Sequence, residues 1–129
     1  MSKEDKEPKP GIWFEREPDR WEYAAWGERE DVAIVYYHYE KGPQNLAMLL
    51  GGFSGRSTRC LAEMLRTGAA DNFWPPVIDT NALSLGVFIV KFGFRSRRKN
   101  ESVHVRSHDR RTSTEVISLT KEVLEHRVA

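Results

Sequence analysis

One cysteine, Cys60, stands in 129 residues, so neither an internal disulfide nor a zinc cage built on cysteines is available. Long apolar runs are also missing. The longest, residues 46–53 and 85–90, fall far short of the ~18–20 residues a membrane helix needs, and the first holds two glycines. The opening MSKEDKEPKP is charged and carries proline, with no apolar core of the ~7–15 residues that mark a secretory signal. These absences predict a cytoplasmic protein with no membrane contact. Charge of one sign is lacking too: 20 Lys+Arg against 19 Asp+Glu leave a net charge of +1, which excludes a uniformly basic histone-like chain and a uniformly acidic mimic. No internal repeat and no low-complexity segment interrupts the chain. Apolar residues at 40% and charged residues at 30% suffice for a small core. The expected organisation is a flexible tail over residues 1–10 and one domain over residues 11–129.

Local patterns predict the elements. Residues 12–17 read as a short strand, and Pro18-Asp19 is turn chemistry. Residues 20–26 alternate, and 32–39 are rich in β-branched and aromatic side chains, so 20–39 is the expected hairpin. Residues 43–50 are compatible with a strand, but Gln, Asn, Leu, Ala and Met favour helix, with Pro43 just inside the start and Gly51 just past the end. Residues 57–67 carry Cys60, Leu61, Met64 and Leu65 on one helical stripe, with Ser57 as N-cap and Gly68 at C′. Residues 69–81 read as a loop around Trp74-Pro75-Pro76. Residues 83–96 form a long strand, and 102–108 return as its hairpin partner. Thr112 and Glu115 have capping-box spacing for a last amphipathic helix over 114–127, bearing Val116, Ile117, Leu119, Val123 and Leu124. The expected fold class is α+β: an antiparallel sheet of four to five strands in two hairpins, two to three helices, and the C-terminal helix packed on the sheet.

The small net charge conceals a segregation. Residues 1–40 hold a net −5 and residues 91–111 a net +6. The basic block is Lys91, Arg95, Arg97, Arg98, Lys99, Arg106, Arg110 and Arg111. Arginine dominates it, and a planar guanidinium fork suits phosphate and carboxylate. A basic two-stranded ribbon lies well along a nucleic-acid backbone or in a major groove. The expected partner is therefore nucleic acid or an acidic protein surface, the acidic N-terminal segment being a rival for the same cations.

Other constellations are weaker. Gly52, Gly55, Arg56 and Ser57 precede a helix and form a candidate anion loop. The run resembles a P-loop only superficially: its glycine spacing is one residue short and Arg56 stands where Lys belongs. His104 and His108, four residues apart on an expected strand, would lie ~13 Å apart, too far to share a metal. With His38 they suggest at most a metal-independent nuclease using one His as base and one as acid. Cys60 reads as a small buried hydrophobe. The cluster Trp13, Phe14, Trp21, Tyr23, Trp26, Tyr36, Tyr37 and Tyr39 favours core packing and a protein interface over base stacking, because acidic residues are mixed among the rings. The sequence thus points to a small binding or accessory protein acting through the basic hairpin. The alternative is a protein-interaction module or inhibitor using its charged and aromatic surfaces, with self-association left open. Neither a catalytic residue, a metal nor a cofactor is read from it.

Overall fold

The computed structural model describes residues 10–67, 73–102 and 104–123. Residues 1–9 of the expected tail, Gly68, Val103 and residues 124–127 of the expected last helix lie outside them. Strands β1 (Gly11–Glu17) and β2 (Arg20–Ala25) pair antiparallel as a separate two-stranded sheet. Their turn uses Pro18 and Asp19, whose φ of 62° lies in the left-handed region that Asp tolerates. The Asp19 N–H donates to the Glu15 carboxylate at 2.8 Å.

The main sheet holds five antiparallel strands. β3 (Glu30–Glu40) and β6 (Leu83–Phe94) form its centre, paired along eleven positions. β4 (Asn45–Gly52) borders β3, whereas the short β5 (Ile78–Asp79) and β7 (Arg111–Ser118) share the other border of β6. Helix α1 (Gly55–Arg66) follows β4, and a 3-10 turn (Ser107–Arg110) precedes β7.

Strand alternation builds two cores. Ala33, Val35 and Tyr37 of β3 and Phe88, Val90, Phe92 and Phe94 of β6 face α1, which contributes Cys60, Leu61 and Met64. Val32 and Ile89 face the opposite way, where Phe14 and Ala24 of the β1–β2 hairpin cover them beside Ile117. The molecule is thus layered as helix, sheet and hairpin. Gly86 is required where the Tyr37 ring lies flat on the strand: a Cβ there would collide with that ring.

The α+β class and the predominantly antiparallel sheet agree with the sequence reading; five local expectations do not. Residues 20–39 are not one hairpin, because β2 pairs with β1 and β3 pairs with β4 and β6. Of residues 43–50, Pro43 and Gln44 lie in a turn and 45–50 are strand, not helix: eight consecutive pairings of β4 with β3 outweigh the helix propensity of Leu, Ala and Met. The described residues among 102–108 do not return beside β6; that border is taken by β7. Residues 114–118 therefore belong to a strand, and the described residues after it add only a helical turn at 121–123. The reason is two-sided burial. Val116 packs against the helix-side core and Ile117 enters the hairpin-side core, which adjacent residues achieve only in a strand. Finally, α1 starts earlier than expected, with Ser54 as N-cap in place of Ser57.

Candidate interaction surface

The geometry of β4 follows from its pairing. Just beyond the strand, the Phe53 N–H donates to the Val32 carbonyl at 2.9 Å. Inward and outward backbone groups alternate along an antiparallel strand. Ala47, Leu49 and Gly51 therefore turn their N–H and C=O toward β3, whereas Leu46, Met48 and Leu50 turn theirs away from the sheet. No described strand borders that side. The open stretch ends at Gly52, where the start of α1 closes in: a Cβ on Gly52 would collide with the Thr58 backbone nitrogen.

The side chains make this edge unusual. Leu46 is 57% exposed, Met48 48%, Leu49 64% and Leu50 40%. Asn45–Gly52 contains no charged residue and no proline. Edge strands ordinarily carry charge, proline or bulges that discourage further pairing, and β4 carries none of them. On the hairpin side, Ile12, Val32, Ile34, Leu49, Gly51 and Phe53 line an open apolar groove of about 260 Å³ that runs onto the edge. Phe53 is itself half exposed, its ring 5.9 Å from that of Trp26.

The basic residues disperse. Lys91 donates to Glu22 at 3.1 Å, within a network in which Arg16 reaches Glu22 at 2.9 Å and Glu115 at 3.5 Å. Arg16 and then Lys91 hold the Glu22 carboxyl below its ordinary value. Arg95 is paired with Glu101, whose carboxyl it likewise holds down. Arg111 donates to the Thr114 hydroxyl at 2.7 Å, and Arg110 is half-buried near Glu101. Arg97, Arg98, Lys99 and Arg106 remain exposed on the segment between β6 and the 3-10 turn. The structure thus brings four of the eight cations to an exposed loop and engages Lys91 and Arg95 with acidic partners. Lys91 meets the acidic N-terminal segment, the rival named from the sequence.

The Gly52–Ser57 turn is occupied from within. The Arg56 guanidinium donates to the carbonyls of Gly27 (2.7 Å), Glu28 (2.8 Å) and Glu30 (3.1 Å). It lies 3.4 Å from the buried Asp31 carboxylate and 3.9 Å over the Phe94 ring. Asp31 also accepts from the Ser54 hydroxyl and the Val32 N–H. Ser57 is buried and bonded to the Ser54 backbone, and Gly55 is exposed. This arrangement clamps the start of α1 to the turn before β3.

His38 lies on β3 opposite Leu85, its Nδ1 3.1 Å from the Tyr36 hydroxyl. The loop carrying His104 and His108 leaves β6 after Phe94, ~30 Å further along that strand. His108 meets Asp109 at 3.4 Å. Cys60 is buried, and burial raises its thiol pKa above the ordinary value. Trp13 and Trp21 are exposed on the hairpin, with the Trp13 ring tilted against Tyr23 at 4.9 Å, whereas Phe14 and Tyr37 are core. Among the described residues no helix is long and apolar enough to cross a membrane.

Leu46, Met48, Leu49 and Leu50 are the residues that sequence reasoning missed as a surface. Read as a helix, they had no open backbone edge. The available signal was eight residues without charge, ending in two glycines, one four-residue turn after a strong strand. No known family model, curated protein or solved structure matches this chain.

Proposed function

We propose that this chain is a protein-interaction module that takes an extended partner segment onto the open edge of β4. The observation that supports this reading most is the conjunction at Leu46, Met48 and Leu50: outward backbone groups, exposed apolar side chains and no charge. Strand addition uses these elements directly, because main-chain hydrogen bonds supply affinity and alternate side chains supply selectivity. The neighbouring groove at Ile34, Leu49 and Phe53 would receive an apolar side chain of the incoming segment.

The test is selection from a phage-displayed random peptide library. Extended apolar peptides should be enriched on the wild-type protein and lost on Met48→Lys, which places a charge on the edge. Failure to enrich any peptide, or equal retention by Met48→Lys, overturns the reading.

A second reading rests on the exposed run Arg97-Arg98-Lys99. It makes this loop a contact for nucleic acid or another polyanion. Its affinity for duplex DNA would fall with salt, with a log–log slope of roughly −0.9 per neutralised phosphate. Mobility shifts comparing wild type with Arg97→Glu/Arg98→Glu decide it, and absence of binding by the wild type at low salt removes it.

A further inference from the structure

Resting on the reading of β4 as a binding edge, we infer that its occupant is β4 of a second copy, paired antiparallel about a two-fold axis through Met48. A two-fold axis perpendicular to the sheet keeps the helix-side face of one copy continuous with that of the other. Residues directly opposite must then come from the same face and, in the hydrogen-bonded class, from the outward-turned set Leu46, Met48 and Leu50. One register uses all three. Leu46 faces Leu50 of the second copy, Met48 faces Met48, and Leu50 faces Leu46. Each such pair exchanges two main-chain hydrogen bonds, so about six close across the axis. Ala47 and Leu49 come opposite each other on the other face. The pairing joins two five-stranded sheets into one.

Charge selects this occupant. At the axis Met48 meets its own copy, so a charge there would oppose a like charge, and the facing Leu46 and Leu50 match because both are apolar. Asn45–Gly52 has none. An acidic or basic partner strand would find no counter-charge here. The N-terminal MSKEDKEPK, the other candidate from the same chain, is heavily charged, and its proline has no N–H to donate.

Area sets the kind of dimer. Four side chains about half exposed, with the backbone strip between them, bury well under the ~1,200 Å² total of a standard stable interface. The association is therefore reversible and concentration-dependent.

Sedimentation equilibrium from about 1 μM to about 1 mM should show the mean mass rising from monomer toward twice that value. Met48→Lys, which opposes two ammonium groups at the axis, should remain monomeric with an unchanged circular dichroism spectrum. Met48→Cys supplies the register. Opposed residues of a hydrogen-bonded pair have Cα atoms ~5.5 Å apart, within disulfide reach. Mild oxidation should cross-link Met48→Cys into a dimer but not Leu49→Cys, whose own copy lies two positions along. Cys60 is 1% exposed and stays out of the reaction. A wild-type protein that is monomeric throughout this range overturns the inference. So does cross-linking of Leu49→Cys in preference to Met48→Cys. Monomeric protein that still enriches extended peptides at β4 leaves the binding edge standing and removes only the second copy; loss of both removes both.

Discussion

Replacing Arg56 with methionine should unfold the protein far more readily than its position at a helix start suggests. The change keeps an apolar side chain of similar reach at this position and removes the guanidinium that lies over the Phe94 ring. Arg56 is 13% exposed and Asp31 is 0% exposed at the side chain. Removing one member of a buried pair leaves the other charge uncompensated and costs about 3–5 kcal/mol, against about 0–1 kcal/mol for an exposed pair. The geometry decides between these limits. The 3.4 Å contact to Asp31 is a loose hydrogen bond, but the same guanidinium also ties down three carbonyls between Gly27 and Glu30. Water can replace it at the exposed Glu28 carbonyl, whereas Asp31 keeps only its Ser54 and Val32 donors. The lower part of the buried range, about 3 kcal/mol, is expected. For a chain of this length that lowers Tm by roughly 10–15 °C. Urea and thermal denaturation of Arg56→Met measure it. Asp31→Asn added to Arg56→Met should recover about 1–2 kcal/mol, because it removes the stranded charge. A loss below about 1 kcal/mol in Arg56→Met, or strict additivity in the double variant, would refute the assignment of Arg56 as the buried clamp.

Acid should destabilise the fold through carboxyls held low by their partners. Glu22 beside Arg16 and Lys91, Glu101 beside Arg95, and Asp79 beside Lys41 and Ser84 all sit below their ordinary values. Their folded-state values lie below the unfolded ones, so the stability they contribute is complete above 4.5 for Glu and 3.8 for Asp and is lost as pH falls through the folded values. Urea midpoints at neutral pH and near pH 3 test this, and equal midpoints contradict it. Gly52→Ala should cost about 1–3 kcal/mol, since its new methyl would strike the Thr58 backbone and the Ser57 and Thr58 hydroxyls. Gly51→Ala meets open space and should cost less, so the reverse order in chemical denaturation would contradict the close approach of α1.

Much of the central sheet was legible in the chain. The β-branched and aromatic run of β3 and the long apolar β6 announced themselves, because both faces of a central strand are buried and the composition must say so. The stripe of Cys60, Leu61 and Met64 gave α1 to within about two residues. At the borders the local signal misled. Residues 43–50 read as helix from their propensity, and residues 114–118 have a helix-compatible apolar spacing; neither carries in itself the pairing that makes it a strand. The candidate site inherited this error, since the edge of β4 exists only if β4 is a strand. The basic block was read correctly as composition, but its partners were not, because Glu22 lies 69 residues from Lys91 in sequence.

The sequence by itself determined the class of the fold, the identity of its core strands and helix, and the presence of a cationic segment. These depend on periodicity and composition, which are local properties. Only the tertiary structure decided which strand lies at the border, which backbone groups are left facing outward, and which cations are neutralised. Those depend on which distant residues meet, and no local pattern along the chain encodes that meeting.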